Sequence, residues 1–285
     1  MYIPSASTRI AGVIGWPIAH SLSPRLHSFW LDRYGIDGLY LPMAVRPERI
    51  TQAIAALQAL GLQGCNVTLP HKVATMQAVD VLTERARRAG AVNTVTLDGH
   101  GKSLGDNTDG IGFLDHLRDH HPDWDGRAGP AILIGAGGAA RAIAASLLDD
   151  VGVPELRLAN RNAWRAKKLA QDLGGPITCV PWEKRHEALA DVRLLVNTTM
   201  LGQAGQAPLH LDLARLPWEA VVYDIVYVPL ETALLREARA RGNPTIDGLG
   251  MLLHQAKIGF AAWFGCEPAI DEEVRRFVLA GLKAA

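Results

Sequence analysis

Ala131-Ile132-Leu133-Ile134-Gly135-Ala136-Gly137-Gly138-Ala139-Ala140-Arg141 is the stretch whose reading decides the fold. Four apolar residues predict a buried strand, the glycines a tight turn, and the small residues after them a helix start. In that context Gly135-x-Gly137-x-x-Ala140 is a cradle for nucleotide phosphates. The first glycine permits the turn, the second lets the backbone approach a pyrophosphate, and Ala140 allows close helix packing. The helix N-terminus then offers free N–H groups and the positive end of its dipole to the anion. A packing turn with no ligand is the plainer alternative, and the strand–turn–helix context argues against it.

Downstream, a helix is predicted over 139–148, a strand over 156–159, a helix over 163–173 and strands over 194–196 and 221–225. That order reads as a doubly wound nucleotide domain. The strand about 20 residues beyond the turn, where an NAD site carries Asp or Glu for the ribose 2′-hydroxyl, ends instead at Asn160-Arg161-Asn162, with Arg165 following. Guanidinium groups pair with phosphate, so the 2′-phosphate of NADP is the expected ligand. Two solvated arginines at a helix start are the alternative, but a cation there opposes the helix dipole unless an anion joins it.

Upstream, strand and helix also alternate. Residues 10–14, closed by Gly15, read as a strand, and Pro24 opens a helix. A strand is predicted over 39–45, then a helix carrying Ile50, Ala53, Ile54 and Leu57 and stopped by Gly61. Val67 lies in a strand, Pro70 is expected to begin another helix, and 93–97 and 103–104 are extended around the turn at Asp98-Gly99. From Gly248 two helices follow, the second with Val274, Phe277, Val278 and Leu282 on its apolar face. The expected architecture is α/β: a substrate-binding domain over 1–108, a Rossmann domain over 109–247, and helices over 248–285 packing back on the first domain. The length of 285 residues suits two domains. Gly105-Asp106-Asn107-Thr108-Asp109-Gly110 sets a carboxylate just before the nucleotide domain, which suggests a site in a cleft beside it.

Charges balance at 29 basic and 29 acidic residues, giving no electrostatic case for nucleic acid or an anionic membrane as partner. The densest basic run, Arg85-Ala86-Arg87-Arg88, reads as a solvated helix face. Cys65, Cys179 and Cys266 are odd in number and far apart, which suggests reduced thiols in a cytoplasmic protein and no metal site. The N-terminus lacks the pattern of a secretion signal, and no apolar stretch is long enough to span a bilayer.

Three further polar clusters lie in the first half: His20-Ser21-Leu22-Ser23-Pro24, Asn66-Val67-Thr68-Leu69-Pro70-His71-Lys72 and Ala91-Val92-Asn93-Thr94. With Asp109 they supply short neutral donors and acceptors, one cation and one carboxylate, a set suited to a small polyhydroxylated acid. Each has a plainer reading. Ser21 or Ser23 could cap the helix opened by Pro24, Asn66 and Thr68 share one face of a strand that could be solvent, and Lys72 alone would be a surface lysine.

Together these motifs resemble the shikimate dehydrogenase family nearly end to end. The resemblance rests on Val13-Ile14-Gly15-x-Pro17-x-x-His20-Ser21-Leu22-Ser23-Pro24, Asn66-Val67-Thr68-x-Pro70-x-Lys72, Ala91-Val92-Asn93-Thr94 and Gly105–Gly110. It continues through Gly135–Ala139, Asn160-Arg161 with Arg165, Asp224-Ile225-Val226-Tyr227, and Asp247-Gly248-Leu249-Gly250-Met251-Leu252-x-x-Gln255. It implies reversible NADPH-dependent reduction of 3-dehydroshikimate to shikimate on the route to chorismate and aromatic amino acids. It further implies that Ser21, Ser23, Asn66, Thr68, Lys72, Asn93, Asp109, Tyr227 and Gln255 contact substrate, with Lys72 and Asp109 the catalytic pair. On the cofactor side it implies Gly135, Ala136, Gly137, Gly138, Ala139, Asn160, Arg161, Arg165, Asn197, Thr198, Thr199, Ile225, Gly248 and Met251. Departures are Asn162 where the family commonly has Thr, a variant loop at 201–205, and His254 where a small residue is frequent.

Two alternatives stay in view. The quinate branch tends to carry threonine for the second serine and to use NAD; Ser23 and the two arginines favour shikimate and NADP. A non-catalytic NADP sensor would be expected to lose Lys72 or Asp109, and both are present. Oligomeric state is not written in the motifs, and a homodimer is compatible with them.

Overall fold

The computed structural model describes residues 3–282, with side chains as far as Gly281. In chain order the elements are β1 (Arg9–Gly15), α1 (Ser23–Arg33), β2 (Gly38–Ala44), α2 (Ile50–Ala59), β3 (Gly64–Val67), β4 (Val81–Leu82), α3 (Glu84–Ala89), β5 (Thr94–Leu97), β6 (Ser103–Asp106) and α4 (Asp109–His120). There follow β7 (Ala131–Ile134), α5 (Gly138–Ser146), β8 (Leu156–Ala159), α6 (Ala163–Leu173), β9 (Ile177–Val180), β10 (Leu194–Asn197), β11 (Val221–Asp224), α7 (Ala233–Arg241), β12 (Thr245–Ile246), α8 (Leu249–Phe264) and α9 (Glu272–Leu282). They form two compact units. One holds the residues up to Gly112 and those from Leu252 onward; the other is Phe113–Met251. The divisions fall inside α4 and α8, a few residues beyond the expected 108 and 247.

The first unit is built on a sheet of order β2-β1-β3-β5-β6-β4. β1 runs parallel to β2 and β3, whereas β5 is antiparallel to both β3 and β6. That switch brings the end of β3, the start of β5 and the end of β6 to one edge, since Asn66 pairs with Thr94 and Thr94 with Asp106. Aromatic residues from α1, β2 and α8 pack beneath: Trp30, Tyr40, Phe260 and Trp263 are buried, and Trp263 Nε1 donates to Val95 O at 3.1 Å. In this unit α9 packs on α1, where Phe277 meets Phe29 and Arg25 Nε donates to Phe277 O at 2.7 Å. Val274 and Val278 are buried, while Phe277 sits at the rim, 38% exposed. Leu282, the fourth expected member of that face, has its side chain outside the described residues.

The second unit carries six strands ordered β12-β11-β10-β7-β8-β9, each parallel to its neighbours. Counted from β7 as first strand, the spatial order is 3-2-1-4-5-6, the arrangement of dinucleotide-binding sheets. Both faces of the central strands are covered, so β7 is wholly apolar and β10 and β11 turn polar only at their last residues, Asn197 and Asp224. Ala131 and Leu133 face one core cluster with Phe113 and Tyr223, and Ile132 and Ile134 face another with Leu195 and Val222.

Several expectations are corrected. Pro70 opens no α-helix; a short 3-10 turn at Ala74–Gln77 stands there instead. The carbonyl of Lys72 accepts from Val92 N at 2.8 Å, which diverts it from a helical bond. Arg85 is not merely solvated, because Arg85 Nη2 pairs with Asp106 Oδ2 at 2.5 Å. The short edge strands β9 and β12 and the polar helix α7 gave too little apolar period to be predicted. No helix among the described residues is long and apolar enough to cross a membrane. Leu133→Ala is expected to lower stability by about 2–5 kcal/mol in urea denaturation, since Leu133 is fully buried between β8 and β10.

Candidate active site

The polar edge of the first unit gathers Asn93 and Gln255 around one ion pair, Lys72–Asp109. Lys72, in the loop after β3, donates through Nζ to Asp109 Oδ2 at 2.5 Å. Asp109 opens α4, and its backbone N–H donates to Asn107 Oδ1 at 3.1 Å. Asn93 sits between β5 and the Asp109 turn. Its Nδ2 donates to Asp109 Oδ1 at 2.7 Å, with Thr108 Oγ1 at 3.0 Å and Gln255 Oε1 at 3.3 Å also in reach. Its Oδ1 accepts from Thr108 N at 2.8 Å. Gln255 is held on α8 by Nε2 donating to Leu252 O at 3.0 Å. Glycine at 112 makes this closeness possible, because a Cβ there would lie 2.6 Å from Gln255 N. A buried carboxylate, an ammonium and several buried amides therefore converge within hydrogen-bonding distance, which suits proton transfer to an oxygen held by polar neighbours.

Asn66 is buried beside this group, its Nδ2 3.3 Å from the Asn93 carbonyl oxygen, and Thr68 is half-buried just beyond the end of β3. Ser21 is half-buried, and its Oγ accepts from Ser23 N at 3.3 Å, a local turn bond. Ser23 is the first residue of α1 and no side chain at Leu22 caps that helix, so Ser23 is buried without being its cap. Asp106 anchors the turn before Asp109, accepting from Thr83 Oγ1 and from Arg85. Burial pushes its carboxyl up, but the Arg85 and Thr83 bonds outweigh that and hold it below the usual range.

In the second unit the glycine turn follows β7 at the point where strand order reverses, beside the loop after β10. Gly135 has φ +121°, and a Cβ on it would lie 2.5 Å from Thr198 Oγ1. Thr198 Oγ1 in turn donates to Ile134 O at 2.8 Å. A Cβ built on Gly137 meets no atom within 4 Å, and no side chain caps α5. Ala136, Gly138 and Ala139 are half-buried around this open cradle, and Ala140 is fully buried behind it. Arg161 and Arg165 are exposed and have no ion-pair partner among the described residues. Asn162 caps α6, its Oδ1 accepting from Arg165 N at 3.3 Å, and Asn160 Nδ2 donates to Asn162 O at 2.8 Å. An open phosphate cradle with two unpaired guanidinium groups beyond the next strand fits NADP: α5 and its turn would hold the pyrophosphate and the arginines the 2′-phosphate.

Other residues implied for the cofactor are more internal. Asn197 is fully buried, donating to Asp224 Oδ1 at 2.9 Å and Leu201 O at 3.0 Å and accepting from Thr199 N and Oγ1. Its side chain thus shapes the loop at Thr198 and Thr199. Met251 is buried in the core with Tyr223, and Ile225 is half-buried at its margin. Gly248 passes so close to the Ile225 carbonyl that a Cβ would overlap it. Tyr227 lies in the loop after β11 in this unit, half-buried, with its phenol pushed up by desolvation. Residues missed from sequence are Tyr40, Thr94 and Thr108 in the first unit and Asp224 in the second. Only Tyr40 lay outside a quoted motif, and nothing in the local sequence marks it.

Residues 13–95 match the family described as the shikimate dehydrogenase substrate binding domain, and 124–204 match shikimate / quinate 5-dehydrogenase. The chain is 58% identical over 276 residues to a shikimate dehydrogenase (NADP(+)) of Paramagnetospirillum magneticum, covering 97% of this chain and 100% of that one. It is 56% identical over 279 residues to the enzyme of the same description from Rhodospirillum rubrum, covering 96% and 98%. Among solved structures it is similar to shikimate 5-dehydrogenase of Thermus thermophilus in complex with NADP(H) and shikimate, at TM-score 0.84 and 36% identity, covering 98% and 100%.

Asp224 generates a pH prediction. Desolvation pushes its carboxyl up to about 6, against hydrogen bonds from Thr232, Val226 and Asn197. The folded state therefore holds the proton more tightly than the unfolded chain. Its contribution is fully present below the unfolded value of 3.8 and is lost as pH rises through about 6. Relative to Asp224→Asn, the wild type is expected to lose about 3 kcal/mol across that window in urea melts; parallel curves would contradict it.

Proposed function

Because the chain belongs to the shikimate dehydrogenase family, we propose that it catalyses the reversible NADPH-dependent reduction of 3-dehydroshikimate to shikimate, on the route to chorismate and the aromatic amino acids. The observation that carries this reading is the Lys72–Asp109 pair at 2.5 Å, set among buried Asn66, Asn93 and Gln255. Those amides and the Ser21, Ser23 and Thr68 hydroxyls suit a ligand with a carboxylate and several hydroxyls, each needing its own partner. Tyr227 belongs to the proposed substrate set as well.

NADPH, when bound, supplies the hydride that adds to the ketone carbon. The oxygen left with negative charge takes a proton from Lys72 Nζ, and Lys72 recovers one from solvent. Asp109 holds the ammonium in line, and Asn93 holds Asp109 by its other oxygen. In the oxidation direction the same atoms run in reverse, Lys72 accepting the hydroxyl proton.

Cofactor choice rests on Arg161 and Arg165. Cytoplasmic location and assembly as a homodimer complete the reading; three free thiols support the first, and the mass by light scattering tests the second. Reduced-nicotinamide absorbance is expected to rise with shikimate plus NADP and to stay far lower with quinate plus NAD; comparable efficiency on the second pair would overturn the assignment. Arg161→Ala with Arg165→Ala is expected to raise KM for NADP roughly tenfold or more, by loss of charge-assisted bonds. NAD should be bound as before, and equal weakening of both cofactors would contradict the role.

A further inference from the structure

Hydrogen bonds in the first unit include one continuous line from Tyr40 to Asp109, with Thr108 Oγ1 joining it from the side at 3.3 Å from Thr94 Oγ1 and 3.2 Å from Asn93 Oδ1. Tyr40 OH donates to Asn66 Oδ1 at 2.6 Å. Asn66 Nδ2 donates to Thr94 Oγ1 at 3.2 Å, and Thr94 Oγ1 donates to Asn93 Oδ1 at 2.9 Å. Asn93 Nδ2 donates to Asp109 Oδ1 at 2.7 Å, while Lys72 occupies Asp109 Oδ2. Tyr40, Asn66, Thr94, Asn93 and Asp109 are all nearly fully buried, so water offers no substitute partners.

The direction is fixed at both ends. Thr108 N can only donate, so the Asn93 atom facing it is the oxygen and the amide NH2 faces Asp109. Asn66 Nδ2 also lies 3.3 Å from the Asn93 carbonyl oxygen; a flipped Asn66 would set oxygen against oxygen there. The Asn66 oxygen is thereby left facing the Tyr40 hydroxyl, and the His27 imidazole also interacts with the Asn66 side chain. Tyr40 is itself held by His27, whose ring stacks on it at 3.8 Å with planes 1° apart. Trp30, Phe260 and Trp263 surround that imidazole.

We propose that Tyr40 is a positioning residue for the reaction: it anchors a buried line of donors through Asn66, Thr94 and Asn93 that fixes Asp109 against Lys72. Each donor in such a line polarises the next, so the line acts as a unit. Loss of the phenol hydroxyl takes the donor at 2.6 Å from the buried Asn66 oxygen and loosens the amide that holds Thr94, one of the donors on Asn93 Oδ1. The catalytic consequence rests on the function proposed above; the line itself does not.

The test compares Tyr40→Phe, which keeps the ring on His27, with Thr94→Val, Thr94→Ser and the Tyr40→Phe/Thr94→Val double variant. Each of Tyr40→Phe and Thr94→Val is expected to lower kcat for shikimate roughly tenfold, with KM for NADP unchanged. The double variant should lose no more than either single one, and Thr94→Ser should recover most of the loss seen in Thr94→Val. Losses that multiply, or turnover in Tyr40→Phe within about twofold of wild type, would overturn the proposal. A second readout needs no turnover: in NMR of the full chain, the Asn93 side-chain NH2 signal should shift in Tyr40→Phe, although the Tyr40 hydroxyl bonds Asn66 and not Asn93. An unmoved Asn93 signal overturns the line even if the enzyme oxidises shikimate. A shifted signal in a protein that does not oxidise shikimate upholds the line and sinks the enzymatic reading alone.

Discussion

The buried amide of Asn93 is the constraint on which the candidate active site depends. At 2% exposure its side chain must find protein partners for every donor and acceptor. It does so by joining β5 to the Asp106–Asp109 turn and to α8. Asp109 is fixed on one oxygen by this amide and on the other by Lys72. A carboxylate so held has little freedom left, which is the property required of a group that orients a proton donor.

This arrangement has a thermodynamic cost that the sheet explains. Burying an ammonium and a carboxylate is favourable only where geometry and hydrogen bonds are complete, and removing one partner typically costs several kcal/mol. The mixed sheet makes them complete by turning β5 antiparallel to β3, so that Asn66, Thr94 and Asp106 lie in register. The second unit solves a different problem. Its parallel strands end together at a reversal of order, leaving the Gly137 cradle open while Thr198, Asn197 and Asp224 tie the adjacent loop down from behind.

Legibility in the sequence followed the chemistry. β7, β8 and α6 were readable to the residue because short apolar runs and small-residue turns have few alternative uses. Lys72, Asn93 and Asp109 were readable as members of motifs, but their mutual contacts needed the sheet register. Pro70 misled because the preference of proline for a helix start is local, whereas the bond from Val92 to the Lys72 carbonyl comes from a distant segment. Tyr40 was invisible for the same reason: a tyrosine in an apolar strand reads as core, and only the folded sheet shows its hydroxyl on Asn66.

Lys72→Ala tests the central claim most directly, when shikimate turnover and shikimate binding are measured on the same preparation. The account predicts turnover lowered by roughly a hundredfold to ten-thousandfold with binding retained, since the amides and hydroxyls stay in place. Near-normal turnover, with Lys72 absent, would contradict it.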